Sequence, residues 1–245
     1  MVLVFTVNAT QFSKTQKVEI EKIVHDYLIK NPQILVQISE ELQQKQYQVM
    51  QTKALGAIKK HQSLLFNPDQ TQIAGNPKGK VTLIEFFDYQ CVHCSNLHKE
   101  KVLENLIAKN SDLRVVYKEF PIFGAPSIYA AKAAMAAARQ GKYLKMHNAI
   151  FNTGKIEGKL TDADVNAVAK KIGLNMPRYY KDIKNVKIKS SIDASYKLAQ
   201  ALGIQGTPSF VIGPTPKFGN VNGKVTFIPG LVGPAQMQQA IDAAK

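Results

Sequence analysis

The chain has 245 residues, 45% of them hydrophobic, with 32 Lys and Arg against 18 Asp and Glu, a formal charge of +14. That length supports one large domain or a domain with an appendage, and the apolar content supports a sizeable core. The basic residues form no run of five or more and accompany no nucleic-acid motif, which leaves a diffuse solvated basic surface and argues against nucleic acid as a partner. No stretch of ~20 apolar residues is present, so no membrane-spanning helix is expected.

Residues 1–14 are read as a tail. Met1 to Ala9 is short and apolar and ends in Val7-Asn8-Ala9, a small-residue pattern like the end of an export-signal cleavage site. A disordered or hydrophobic N-terminal strand is the alternative. Residues 15–66 change character: Gln and Lys abound and apolar residues recur at helical spacing. Val18, Ile20, Ile23, Val24, Tyr27 and Leu28 outline one amphipathic helix, and Asn31-Pro32 stops it. Leu35, Leu42 and Val49 then repeat every seven residues, with Ile34 and Ile38 alongside. A helix this polar needs something to pack on. The expectation is an oligomerisation arm; a hairpin folded back on its own domain is the alternative.

Residues 67–80 form a linker, with a short strand predicted at Thr71–Ile73. Val81 to Phe87 is predicted as the central strand, running into Cys91-Val92-His93-Cys94. Ser95 to Lys109 reads as one helix, apolar at Leu97, Val102, Leu103, Leu106 and Ile107. Leu113 to Lys118 is predicted as a second strand, parallel to the first through a right-handed crossover. Residues 127–203 read as helical, with an N-cap at Thr161 and a stop at Gly173. Pro208 stands at the head of another strand, the position in a sheet where proline fits, in the one kind of peptide bond that is often cis. Asn222-Gly223 signals a hairpin back into Lys224–Ile228, and Pro234 to Ala244 closes the chain as a helix.

The chemistry concentrates on the two cysteines, the only ones in the chain. At a helix start, unpaired backbone N–H groups and the helix dipole favour a thiolate. His93 between them adds to this when protonated. Such sites lower a cysteine pKa from about 8.5 to roughly 3.5–7.5. Cys91 is expected to be the exposed, attacking sulfur and Cys94 the resolving one. A thiolate pair can also hold Cu(I) or zinc, but no second pair is present, and His98 as a further ligand competes with a plain helix histidine. A structural envelope protein with vestigial thiols is a third reading.

Strand, Cys-x-x-Cys at a helix start, parallel second strand, Gly206-Thr207-Pro208 before an antiparallel hairpin, and a closing helix together resemble the thioredoxin fold. The long helical insert resembles the DsbA-type thiol–disulfide oxidoreductases of the bacterial envelope, over roughly Thr71 to Lys245. The helical arm is similar to that of the DsbC/DsbG and ScsC-like isomerases. The resemblance implies an α/β thioredoxin fold built from residues 67–126 and 204–245, with 127–203 inserted and 15–66 as the arm. It implies Cys91 as nucleophile, Cys94 as resolving cysteine, Val92 and His93 as the potential-setting pair, and Thr207 with cis-Pro208 as the substrate-binding loop. Glu85 matches a buried acid that relays a proton to Cys94, and Lys118 its partner; a plain Glu85–Lys118 ion pair is the competing reading. Val92 replaces the Pro frequent in the oxidases, and Thr207 looks more like the isomerases. No cofactor is implied. The implied partners are unfolded or misoxidised exported proteins and a DsbB-like or DsbD-like membrane redox enzyme. A homodimer is expected, with a trimer as the alternative, in the periplasm, with association to the outer membrane a further option.

Overall fold

The computed structural model describes residues 12–66, 72–216 and 224–245. Residues 1–11 of the predicted tail 1–14 and the Asn222-Gly223 turn lie outside them; Ser13 and Lys14, placed in that tail, instead cap and begin the first helix. The chain divides into two compact units between Met50 and Gln51, inside the segment 15–66 expected as a single arm.

In the first unit, α1 (Lys14–Lys30) opens with a capping box. Gln16 N–H donates to Ser13 Oγ at 3.2 Å and Ser13 N–H to Gln16 Oε1 at 2.9 Å. No residue of α1 is buried. Asn31 ends it, and α2 (Gln33–Lys60) follows the proline at 32. In the second unit, the last turns of α2 bury Ala54 and Ile58, and α3 (Gln62–Phe66) buries Leu65 and Phe66. This end of the segment thus contributes four buried apolar residues to the core, while Leu55 and Leu64 stay exposed.

Among the described residues the sheet has five strands, in the order β1-β3-β2-β4-β5. They are β1 (Ile73–Gly75), β2 (Val81–Phe87), β3 (Leu113–Glu119), β4 (Ser209–Pro214) and β5 (Thr226–Ile228). β2 is Val-Thr-Leu-Ile-Glu-Phe-Phe, dominated by residues that pack well on a pleated surface. It is central and every residue in it is buried, as a strand covered on both faces should be. β3 runs parallel to it, and β4 antiparallel on the other side. β1 opens at Ile73, where the predicted strand ends, and pairs antiparallel with β3; β5 is shorter than predicted and pairs antiparallel with β4.

The predicted helix 95–109 is two helices, α4 (Val92–Lys99) and α5 (Val102–Lys109). Lys101 between them is left-handed, φ 52°. No Gly or Pro marks the break; packing does. In an unbroken helix Cys94 and Leu103 would be about two and a half turns apart and face opposite sides. The break lets both be buried, at 1% and 2% exposure.

The inserted helices are α6 (Ala125–Ala138), α7 (Tyr143–Phe151), α8 (Asp162–Lys171), α9 (Met176–Ile183) and α10 (Val186–Leu202). Alanines line α6 and let α7, α8 and α9 approach it closely. α8 carries the predicted cap: Asp164 N–H donates to Thr161 Oγ1 at 3.2 Å. The closing helix is α11 (Pro234–Ala243).

Candidate active site

β2 delivers its chain end to the start of α4, and Cys91 is the residue that begins that helix, with extended backbone at φ −72° and ψ 123°. Its N–H donates to Asp88 O at 3.2 Å and its carbonyl accepts Ser95 N–H at 2.9 Å. Both cysteines are free thiols. Cys91 was expected to be exposed, yet only 3% of it is, against 1% of Cys94. Thr207, more than a hundred residues further on, lies against it. The Thr207–Pro208 bond is cis, and the Cys91 thiol donates to Thr207 O at 3.1 Å.

The two thiols are split in acidity. The Cys94 thiol donates to Cys91 and brings its pKa down to about 6; burial opposes this, and the Thr207 side chain and the amides of Cys94 and His93 add to it. The amides are those of the helix start, as the sequence implied. Thr207 Oγ1 is buried and has no hydrogen-bond partner of regular geometry among the described residues. Burial pushes Cys94 well up, and the neighbouring Cys91 and Glu85 push it further. His93 is exposed and Val92 half-buried.

Glu85 lies in mid-β2, 3% exposed, on the sheet face it shares with Tyr117 and Phe210. Burial, then the charges of Glu104 and Cys91, raise its pKa to about 8. Lys118 is not its partner. It registers with Phe86, one residue on, and so points from the opposite face. There its ammonium donates to Leu64 O at 2.9 Å. Arg114, on the same face, donates to Phe66 O at 2.6 Å. The two cations hold the last carbonyls of α3, where a helix favours positive charge.

Three residues just ahead of Cys91 carry polar networks that the sequence did not single out. Asp88, Tyr89 and Gln90 are 1%, 2% and 0% exposed. Tyr89 OH lies 3.3 Å from both Glu119 Oε1 and His147 Nδ1, and Tyr143 OH donates to the same Glu119 oxygen at 2.8 Å. Burial pushes the Glu119 carboxyl well up and, with His98, holds the His147 imidazole down at about 3. The imidazole is therefore neutral at neutral pH. The available signal was a run of polar residues between a buried strand and the cysteines, where a turn to solvent would need no aromatic.

His98 stacks on Phe151, ring centroids 5.0 Å apart, and meets Asn152 Oδ1 at 3.3 Å. Among the described residues, no group of three His, Cys, Asp or Glu is placed to hold a metal ion. Nor is any helix among them long and apolar enough to cross a membrane.

A family model described as DSBA-like thioredoxin domain matches residues 82–242, and one described as Copper resistance protein ScsC N-terminal domain matches residues 16–48. BcfH from Salmonella enterica Typhimurium has 34% identity, covering 94% of this chain and 96% of that one, with a TM-score of 0.76. A thioredoxin-like oxidoreductase from Silicibacter pomeroyi DSS-3 has 36% identity over 74% of this chain and 96% of its own, with a TM-score of 0.64. The Na(+)/H(+) antiporter NhaA 3 of Salinispora tropica is 25% identical over 148 residues, 60% of this chain but 22% of the antiporter. The chain thus spans about a quarter or less of the curated relatives it matches.

Proposed function

Because the chain belongs to the DSBA-like thioredoxin domain family, we propose that it is a thiol–disulfide oxidoreductase of the bacterial envelope that forms or rearranges disulfides in exported proteins. The observation that carries this reading is the split between the two sulfurs at the start of α4, Cys91 at about 6 and Cys94 well above its ordinary value. In the oxidised protein a client thiolate attacks Cys91 Sγ. The Cys91–Cys94 bond breaks and its electron pair goes to Cys94, which takes a proton. A second client thiolate then attacks the client sulfur of the mixed disulfide, and Cys91 leaves as a thiolate. The client gains a disulfide; the protein is left with one thiol and one thiolate. A sulfur of low pKa is a good leaving group, which favours this direction.

Glu85 is the proton source for Cys94 in this scheme. It is buried beneath the pair, and its raised pKa keeps the proton available at neutral pH. Thr207 and Pro208 border Cys91 and would meet the client backbone. His93, exposed, and Val92, half-buried, lie between the two sulfurs as the pair that would set the redox potential.

Rearrangement requires Cys91 as a thiolate to attack a wrong client disulfide and be released again. An assembly holding several such sites around one client suits that task. Val18, Ile23, Tyr27, Leu35, Leu42 and Val49 are exposed apolar residues of the first unit. With the family match at residues 16–48, they support a self-associating arm, as a homodimer or trimer. A DsbB-like or DsbD-like membrane partner would reset the redox state.

The test is direct. The full chain should reduce insulin, reactivate scrambled ribonuclease and sediment as an oligomer. A protein without insulin reduction whose Cys91 titrates near the ordinary thiol value overturns the oxidoreductase reading. A monomer without ribonuclease reactivation overturns the isomerase part alone.

A further inference from the structure

The turn from β2 to Cys91 is suspended from the inserted helices by a directed hydrogen-bond network. Gln90 Nε2 donates to Ser127 Oγ at 2.9 Å, and Ser127 Oγ donates on to Asp88 Oδ1 at 2.8 Å. The order is fixed, because Gln90 Oε1 accepts Gly158 N–H at 2.9 Å and Leu160 N–H at 3.4 Å and so faces away. Asp88 Oδ1 also accepts Gln90 N–H at 2.7 Å, and Oδ2 accepts the amides of Ile122 and Phe123 at 2.7 and 3.0 Å. Gln90 O accepts Glu157 N–H at 3.0 Å.

No member of this network is left over. Ser127, like Asp88 and Gln90, is fully or almost fully buried. It is the third residue of α6, and the 157–160 segment lies between α7 and α8. A buried polar network with every member paired costs little to hold, whereas removing one member orphans the rest. The sheet needs none of these bonds, since β2 ends at Phe87. What they fix is the backbone from Asp88 to Cys91, whose own bond, Cys91 N–H to Asp88 O, closes the turn.

We propose that Ser127 and Gln90, with Asp88, are positioning residues for thiol–disulfide exchange: through them the helical insertion sets where Cys91 stands on the start of α4. The inference rests on the oxidoreductase reading of the same site. It assigns the insertion a part in the chemistry rather than only in covering the sheet. None of the three side chains need touch a client. They act through the donors that the helix start aims at the Cys91 sulfur, which are useful only if that sulfur stays in place.

The experiment is a 240-nm thiolate titration of the reduced full chain, wild type against Ser127→Ala, Ser127→Thr and Gln90→Met. Ser127→Ala should raise the Cys91 midpoint, by up to about one unit where the loosened turn costs the sulfur one helix-start amide. Ser127→Thr, which keeps the hydroxyl, should restore the wild-type midpoint. Should Ser127→Ala not fold, Gln90→Met decides, with an upward midpoint expected. Variants that fold and titrate like the wild type overturn the inference and leave the oxidoreductase reading standing. Failure of both Ser127→Ala and Gln90→Met to fold also overturns it, since the network would then serve the fold alone. A wild type that titrates as an ordinary thiol and reduces no insulin overturns the reading itself.

Discussion

The Cys91 thiol points at the carbonyl oxygen of Thr207, 3.1 Å away, across the first bond of a cis Thr–Pro pair. Two segments more than a hundred residues apart in sequence thus meet at one sulfur. The carbonyl accepts from the thiol, while the hydroxyl of the same residue favours the thiolate. Thr207→Val removes the hydroxyl and keeps the carbonyl. We expect the Cys91 titration to move up from about 6 by up to about one unit. An unchanged midpoint would remove Thr207 from the acidity argument.

Cys94 is the larger influence on Cys91. Cys94→Ala should therefore raise the Cys91 midpoint more than Thr207→Val does. It should also let mixed disulfides with clients accumulate, because no resolving thiol remains. Trapping after acid quench, followed by non-reducing electrophoresis, reads the second effect. The reverse ranking of the two midpoints would mean that the loop, not the partner thiol, governs the sulfur.

Glu85 gives a pH signature. Its folded pKa is raised from 4.5 to about 8, chiefly by burial. Between those values the folded state keeps a proton that the unfolded state releases, so stability falls as pH rises. Glu85→Gln abolishes that loss. The variant should gain on wild type from pH 4.5 upward, by about 3 kcal/mol at pH 7, and level off above pH 8. Urea unfolding midpoints at pH 5 and pH 8 measure it. An equal difference at both would mean that Glu85 is not buried as a neutral acid. Oxidation of a client dithiol should slow in the same variant, since Cys94 then lacks its proton source.

Lys118 and Glu85 point from opposite faces of the sheet. A double-mutant cycle of Glu85→Gln with Lys118→Met should show additive stabilities, within about 0.5 kcal/mol. A coupling well above that would restore the ion pair that the sequence suggested. Lys118→Met alone should loosen α3, whose Leu64 carbonyl loses its donor.

Much of the site was legible because local rules set it. The run Val81 to Phe87 can only be a covered strand, and a Cys-x-x-Cys following it falls at a helix start. The capping box at Thr161 and the stop after α1 at Asn31 are equally local. The helix break at Lys101 was not legible. It carries no Gly or Pro and exists because Cys94 and Leu103 must both face the core, a demand made by the sheet and the insertion together.

The sequence by itself determined the chemistry: two thiols, a strand that carries them, and helix-start amides to favour one as an anion. Those follow from bonds within a few residues, so composition and spacing suffice. Only the tertiary structure decided how deep the sulfurs lie, which face of the sheet Lys118 leaves from, and that Asp88 and Gln90 hang from Ser127 and the 157–160 segment. Burial and side-chain pairing depend on which distant segments are brought alongside, and a hydrogen bond of 2.8 Å between Ser127 and Asp88 has no trace in the order of residues that separates them.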